Sequence, residues 1–345
     1  MRKLPIQIED CSKVELHIHV LGYSPKGESI LIVLWDNYDK VVLRSIMIDS
    51  YEKNGKNEMS EILNHYGLDT KKLDFLVWTH PDLDHSLGIP KIIKGYSSSK
   101  TLILLPVGFK MEIFKSLDST LFKTAHSVIR KSRQDKDTVV QVSTSGLYSN
   151  TPTIQDKYKD GINDGFNFSI EILAPFSESS FRWTEVLKNF NKNDISIAFN
   201  ICFGHYRFFF GGDSMNDALM KIDEYKMINT MFVKVPHHGS PTSGKLPERY
   251  MNVAKKSKGD IRHIMTVVTT TYEDYHTKLP NHNVLDKYKC FSKKILHTSN
   301  PERVNDYGIC SFVYKYNSCV PNYSYKGDTS VYYEFKKVAA RCYTE

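Results

Sequence analysis

Four side chains able to hold a metal ion, His80, Asp82, Asp84 and His85, stand within six positions directly after the apolar run Phe75-Leu76-Val77-Trp78. A strand sends alternate side chains to one face, so His80, Asp82 and Asp84 share a direction, and the chain must turn for His85 to join them. That geometry suits two adjacent ions. Imidazole combined with carboxylate matches hard or borderline divalent ions such as Mn²⁺ and Zn²⁺, and no cysteine lies nearby to make a thiolate site. The plainer alternative is a polar loop whose aspartates cap a helix running from Ser86 towards Lys94. The density of ligand types at a strand end favours the metal.

Two later strand ends repeat the design. Phe208-Phe209-Phe210-Gly211-Gly212-Asp213 closes an apolar run on two glycines and a carboxylate, so the backbone can turn tightly and Asp213 can project from a sheet rim between two ions. Val233-Lys234-Val235-Pro236-His237-His238-Gly239-Ser240 ends another apolar run on paired histidines. Ligands that are distant in sequence but carried at strand C-terminal ends can meet on one rim.

The elements that must carry these ends are legible as runs. Val14 to Leu21, Ser29 to Trp35 and Val41 to Asp49 read as an opening antiparallel sheet, separated by Gly/Pro/Ser and Asn-rich turns. Residues 60–67 read as a short helix with Ser60 at its N-cap and Gly67 at its end, followed by the strand 75–79. From 108 to 133 the spacing predicts two amphipathic helical segments around Asp118-Ser119, inserted before an irregular excursion over 146–166. Strands return at Phe168 to Leu173, Ile195 to Phe203 and Arg207 to Phe210, the first followed by a polar helical stretch near Trp183 to Asn191. Helices at Met215 to Glu224 and Leu246 to Lys256 alternate with strands at Met231 to Val235 and Ile264 to Val268. An α/β fold of two packed sheets with helices outside follows from this alternation. His17 and His19 alternate on an early strand with no carboxylate expected near them, which reads as structural.

Nothing resembling a linker divides the 345 residues, so one domain over 1–345 is expected. With 41% hydrophobic and 25% charged residues the chain has ample material for a core, which excludes global disorder. Met1-Arg2-Lys3-Leu4-Pro5 leads into no apolar run, and Thr101 to Leu105 is stopped by Pro106, so neither a secretory signal nor a membrane span is expected and the protein reads as cytoplasmic. Cys11, Cys202, Cys290, Cys310, Cys319 and Cys342 form no C-x-x-C pair, consistent with reduced thiols. The formal charge of +7 is concentrated at Arg130-Lys131-Ser132-Arg133 and Lys255-Lys256-Ser257-Lys258, which suits either a polyanionic partner or solvated helix faces.

Taken together, the motifs resemble the metallo-β-lactamase superfamily and, within it, the ComEC-type branch of metallo-hydrolases, over roughly residues 30 to 310. Gly27-Glu28-Ser29 resembles the branch's G-D-S turn into a strand, Ile48-Asp49 its strand ending in I-D, and His80 to His85 its T/S-H-P-D-x-D-H signature. Asn193-Asp194-Ile195-Ser196 is similar to its N-D-x-S, Gly212-Asp213 to its G-D, and Lys234 to Ser240 with Ser243 to its K-x-P-H-H-G-S-x-x-S. Asp82 stands where the superfamily at large has a second histidine. The superfamily's intermediate histidine has only His126 as a candidate, which reads as surface or core. Tyr275-His276 to Asn281-His282 resembles the branch's Y-G-H-P segment with an insertion, and His276 and His282 compete for that place.

The resemblance implies a four-layer αββα sandwich with two divalent ions, zinc or manganese, one held mainly by His80 and Asp82 and the other by Asp84 and His85, with Asp213 between them. A hydroxide shared by two cations would then attack phosphorus or an acyl carbon. Asp84, His237 and His238 are the catalytic candidates. His237 or His238 would complete the metal shell, His237 being counted among the ligands, or donate a proton to the leaving group. Ser240 and Ser243 could bind phosphate oxygens, and Asn193, Ser196 and His276 could support the site or the substrate.

Fold membership does not fix the substrate. Carboxylate-rich ligands, basic clusters and positive charge favour a metal-dependent phosphodiesterase or nuclease acting on DNA or RNA, with Arg130, Lys131 and Arg133 as an electrostatic rim. Hydrolysis of a small ester, thioester or cyclic nucleotide is the alternative enzyme reading. A non-catalytic, partner-dependent metal-binding module of a defence or regulatory complex is the third. Tyr323, Tyr325, Tyr332 and Tyr333 suit a closing edge strand or, less simply, a protein partner.

Overall fold

In a computed structural model of the chain, which describes residues 10–107, 119–134, 138–144, 155–157, 166–176, 191–256, 266–292, 294–298, 307–315, 331–332 and 341–342, the apolar runs become strands buried on both faces. In chain order these are β1 (Val14–Tyr23), β2 (Glu28–Asp36), β3 (Val41–Ile48), β4 (Phe75–Val77), β5 (Leu102–Pro106), β6 (Val139–Val142), β7 (Gln155–Lys157), β8 (Asn167–Ala174) and β9 (Ala198–Phe203). They continue as β10 (Tyr206–Phe210), β11 (Thr230–Lys234), β12 (Thr266–Thr269), β13 (Tyr272–Glu273), β14 (Lys278–Leu279), β15 (Lys294–His297), β16 (Tyr307–Lys315), β17 (Val331–Tyr332) and β18 (Arg341–Cys342). The helices are α1 (Met59–His65), α2 (Leu68–Lys71), α3 (Leu83–Ser86), α4 (Ile89–Tyr96), α5 (Ser119–Gln134), α6 (Asn216–Leu219), α7 (Leu246–Lys256) and α8 (His282–Tyr288).

Among the described residues the strands form two eight-stranded mixed sheets, ordered 17-16-1-2-3-4-5-6 and 18-15-12-11-10-9-8-7, and a small β13–β14 ribbon. Alternation divides each strand between two cores. Ile30, Ile32 and Leu34 of β2 join Phe208, Phe210 and Phe232 in the core shared by the two sheets. Leu31 and Val33, pointing the other way, pack with Leu63, Ile92 and Val128 of α1, α4 and α5. In the second sheet Phe209 and Val233 turn outward to Leu246, Tyr250 and Leu285 of α7 and α8. This is why Phe208-Phe209-Phe210 is apolar without a break: each ring is buried, contributing about 2–3 kcal/mol, on one face or the other.

The opening antiparallel sheet is as expected, and β17 does pair as an edge strand on β16, with Tyr332 opposite Phe312. Other expectations are corrected. The first helix begins at Met59 because that residue is fully buried, so Ser60 sits inside the first turn and Glu58 occupies the N-cap without a side-chain bond. The helix expected from Ser86 to Lys94 is two, α3 and α4, broken at Gly88, whose backbone lies so close to Ser50 that a β-carbon would fall 2.3 Å from its hydroxyl. The helix expected over Met215 to Glu224 is only α6, because after Met220 the backbone bonds tighten to i→i−3, Lys221 donating to Ala218 and Ile222 to Leu219. Of the 108–133 insertion, 119–134 is one helix and 108–118 lies outside the described residues. Most of 146–166 and of the stretch from Trp183 to Asn191 also lies outside them, as do Tyr323, Tyr325 and Tyr333, although 155–157 forms β7. Among the described residues no helix is long and apolar enough to cross a membrane.

His17 and His19 do have a carboxylate beside them. Glu15, His17 and His19 share one face of β1, with Glu15 2.9 Å from His17 Nε2, while the Tyr66 hydroxyl lies 2.7 Å from His17 Nδ1 and 2.9 Å from His19 Nε2. Burial, reinforced by the nearby imidazoles of His17 and His65, holds His19 down to about 3. Between the ordinary imidazole range and that value the unfolded chain binds a proton that the native state refuses, so stability falls as pH falls through this window. Denaturant unfolding followed at pH 7 and pH 5 should therefore show a steeper loss in the native sequence than in His19→Gln, by up to about 1.4 kcal/mol per pH unit. Equal slopes would refute it.

Candidate metal centre

Parallel pairing puts the chemistry on one edge. β3 and β4 run parallel in the first sheet, as do β10, β11 and β12 in the second, so their C-terminal ends lie side by side. Asp49 follows β3, His80 follows β4, Asp213 follows β10 and His238 follows β11. The ends of β3, β10 and β11 depend on an unusual backbone. Asp49 has φ 51°, and His237, His238 and Gly239 are three successive left-handed residues at 49°, 51° and 77°. Such conformations cost a non-glycine residue about 1 kcal/mol or more. The histidine turn is braced by the His237 amide on the Gly212 carbonyl at 2.9 Å and by the Ser243 hydroxyl on the Pro236 carbonyl at 2.9 Å. Gly212, at φ 50°, passes so close to Ser196 that a β-carbon would lie 2.5 Å from its hydroxyl.

Asp49 governs two rings. Its carboxylate accepts from the Thr79 amide at 2.7 Å, the Thr79 hydroxyl at 2.6 Å and His85 Nδ1 at 2.7 Å. A carboxylate only accepts, so His85 must carry its proton on Nδ1 towards Asp49. The Thr79 hydroxyl, having given its single proton to Asp49, can only accept from His80 Nδ1, 3.0 Å away. Both rings therefore turn Nε2 inward. His85 Nε2 lies 3.5 Å from Asp84 Oδ2, 3.3 Å from Asp213 Oδ1 and 3.4 Å from His238 Nε2. His80 Nε2 lies 3.6 Å from Asp213 Oδ2, and His238 Nε2 lies 3.1 Å from Asp84 Oδ2.

Asp213 thus offers one oxygen to His80 and the other to His85 and His238. Among the described residues, His80, His85 and Asp213, and separately Asp84, His85 and His238, bring one donor atom each within 4.8 Å of one another. Glu28, Asp49 and His85 form a further such group, but there the Lys234 ammonium, 2.6 Å from Glu28, already supplies a cation.

The charge balance fits metal ions. Glu28, Asp49, Asp84 and Asp213 are all buried, and among the described residues the buried ammonium beside them is that of Lys234. Burial opposes ionisation of Asp84 and Asp213, yet the imidazoles of His85 and His238 outweigh it and hold both carboxyls below the usual range. Burial likewise opposes charge on His85, but Asp213, Asp84 and Asp49 push its basicity well above normal. His80 goes the other way, lowered by burial and by His85. His80 Nε2 and Asp213 Oδ1 are buried without a well-aligned hydrogen bond, the latter lying 3.3 Å from His85 Nε2 and 3.8 Å from His238 Nε2. Orphaned acceptors facing one another in a dry, anionic space are what a cation would satisfy.

The other expected residues lie around this cluster in different roles. Asp82 caps α3 by accepting from the Leu83 amide at 2.9 Å, and the same oxygen meets Lys192 at 3.0 Å, so it stands outside the donor groups. His237 is likewise outside them: Nε2 takes the Asn193 amide at 3.2 Å, Nδ1 meets Thr242 at 2.8 Å, and Asp213 is 3.8 Å away. Ser196 accepts from the Asp213 amide at 2.9 Å and lies 3.4 Å from His80 Nδ1. Ser240 caps a turn through the Thr242 amide, and Ser243 braces the histidine turn rather than facing outward. His276 and His282 are exposed, as is His126. Asp49, Thr79 and Glu28 were not singled out as site residues by their type. The motif likeness of Ile48-Asp49 was the available signal for Asp49, and position at a strand end that for Thr79.

No family model matches the chain, and no curated protein matches it. Among solved structures it is similar to one from Parabacteroides distasonis described as a "putative metal-dependent hydrolase", at 14% identity, covering 81% of this chain and 96% of that one, with a TM-score of 0.37. The metal centre here rests on its own side chains.

Replacing Gly212 with alanine should lower unfolding stability by about 1–3 kcal/mol, through both the left-handed backbone and the Ser196 contact. A neutral effect in denaturant unfolding would contradict that packing. Asp49→Asn should weaken Mn²⁺ binding about 10- to 100-fold, measured by competition with a chelator on protein that keeps its native circular dichroism. Unchanged affinity would show that Asp49 does not orient His85 and His80.

Proposed function

We propose that this protein is a metal-dependent hydrolase that cleaves phosphodiester bonds, most naturally in nucleic acid. The observation that carries the reading is the convergence of His80, His85 and His238 Nε2 with Asp84 and Asp213 in one buried, acid-rich cluster. We assign these five residues to two divalent cations, zinc or manganese, with Asp213 shared. When bound, such cations supply Lewis acidity and a nucleophile usable near neutral pH. The sequence likeness to the ComEC-type branch of the metallo-β-lactamase superfamily supports the same reading.

The chain's own contribution is orientation. Asp49 and Thr79 hold two imidazoles with their lone pairs inward, as ligands require. His237, on the more open side, is tethered at both nitrogens by Asn193 and Thr242, and burial lowers its basicity, so it lines the cluster as a fixed ring. The rim supplies what a polyanion needs. The Tyr272 ring lies 5.4 Å from that of His238, with the Lys26 ammonium 5.5 Å above its face. Tyr275, 95% exposed at the tip of the β13–β14 ribbon, offers a stacking surface beside exposed His276 and Lys278.

Incubating the purified protein with single- and double-stranded DNA and RNA in Mn²⁺, Zn²⁺, Mg²⁺ or chelator tests this directly. Cleavage should require metal and fall on the order of 100-fold or more in Asp84→Ala. If folded, metal-loaded protein cuts no polymer but hydrolyses a small ester or cyclic nucleotide, the nucleic-acid assignment fails.

A further inference from the structure

His238 differs from the other two rings because its outer nitrogen is not held by Asp49, either directly as in His85 or through Thr79 as in His80. Its Nδ1 instead lies 2.8 Å from the Thr270 hydroxyl, which donates to Glu28 at 2.5 Å. Lys234, fully buried, holds Glu28 at 2.6 Å and also donates to the Val235 carbonyl at 3.2 Å. The threonine hydroxyl has one proton and directs it to an acceptor-only carboxylate, so towards His238 it can only accept. The Thr270 methyl lies close to Gly22, where a β-carbon would come within 3.1 Å of it.

We propose that Thr270, Glu28 and Lys234 are positioning residues that lock His238 in the tautomer presenting the Nε2 lone pair to the metal centre. The inference rests on the reading of His238 as a ligand. It also ties that ligand to sheet docking: Glu28 opens β2 in the first sheet, whereas Lys234 ends β11 and Thr270 follows β12 in the second. With Nδ1 carrying the hydrogen, His238 Nε2 and Asp84 Oδ2 face each other at 3.1 Å as two acceptors that a shared cation reconciles.

Removing Lys234 or Glu28 would strand a buried charge and endanger folding, so the test uses Thr270, whose replacement by valine deletes only the hydroxyl. In full-length protein labelled with ¹⁵N-histidine, His238 should be protonated on Nδ1 in the native sequence and in Thr270→Ser, and should lose that preference in Thr270→Val. Mn²⁺ affinity, measured against a competing chelator, should fall about 10- to 100-fold in Thr270→Val and stay near native in Thr270→Ser. Native-like Mn²⁺ binding by a correctly folded Thr270→Val, or an Nε2-protonated His238 in the native sequence, overturns the proposal. Should the native protein bind no Mn²⁺, the ligand reading fails separately, and the tautomer still decides whether the hydroxyl sets the ring.

Discussion

Lone pairs cannot face one another across a dry space without positive charge between them, and this constraint organises the molecule. Asp84 and Asp213 are held ionised in the interior while three imidazoles turn nitrogens towards them. In water such groups would be solvated separately. Here the strand ends of two sheets force them together, and only cations, or protons taken up by rings such as His85, relieve the repulsion. The surrounding architecture serves to hold that arrangement against its own electrostatics. Parallel strands bring the ends to one edge, and left-handed turns at Asp49 and His237 to Gly239 aim the side chains.

Orientation is delegated to residues behind the cluster. Asp49 reaches His85 directly and His80 through Thr79, whereas the path to His238 runs through Thr270 to Glu28 and Lys234. Both routes use a threonine hydroxyl as a one-proton device, fixing direction because its hydrogen is already committed to a carboxylate. The buried Glu28–Lys234 pair is costly to desolvate, but it spans the two sheets, so the geometry of the centre is coupled to their packing.

Much of this was legible in the sequence where the signal was local. The H-P-D-x-D-H run and the Gly-Gly-Asp after three phenylalanines marked strand ends, and unbroken apolar runs marked strands buried on both faces. The division between His237 and His238 was not, because two successive positive φ angles decide which ring points inward. Asp82 has the residue type of a ligand, yet helix capping and Lys192 claim its carboxylate. Thr79, Thr270 and Lys234 carry no chemical signature of their own. Their roles exist only once β3, β4, β11 and β12 lie side by side. The short helix α3 escaped for a similar reason: Gly88 packing on Ser50 ends it from a distance.

The most direct test is a crystal structure of the protein soaked in Mn²⁺ or Zn²⁺, with anomalous scattering recorded at the metal edge. Anomalous peaks are expected within bonding distance of Nε2 of His80, His85 and His238 and of the carboxylates of Asp84 and Asp213, with Asp82 still capping its helix. Peaks elsewhere, or imidazoles binding through Nδ1, would contradict the proposed centre and the hydrogen-bond logic that orients it.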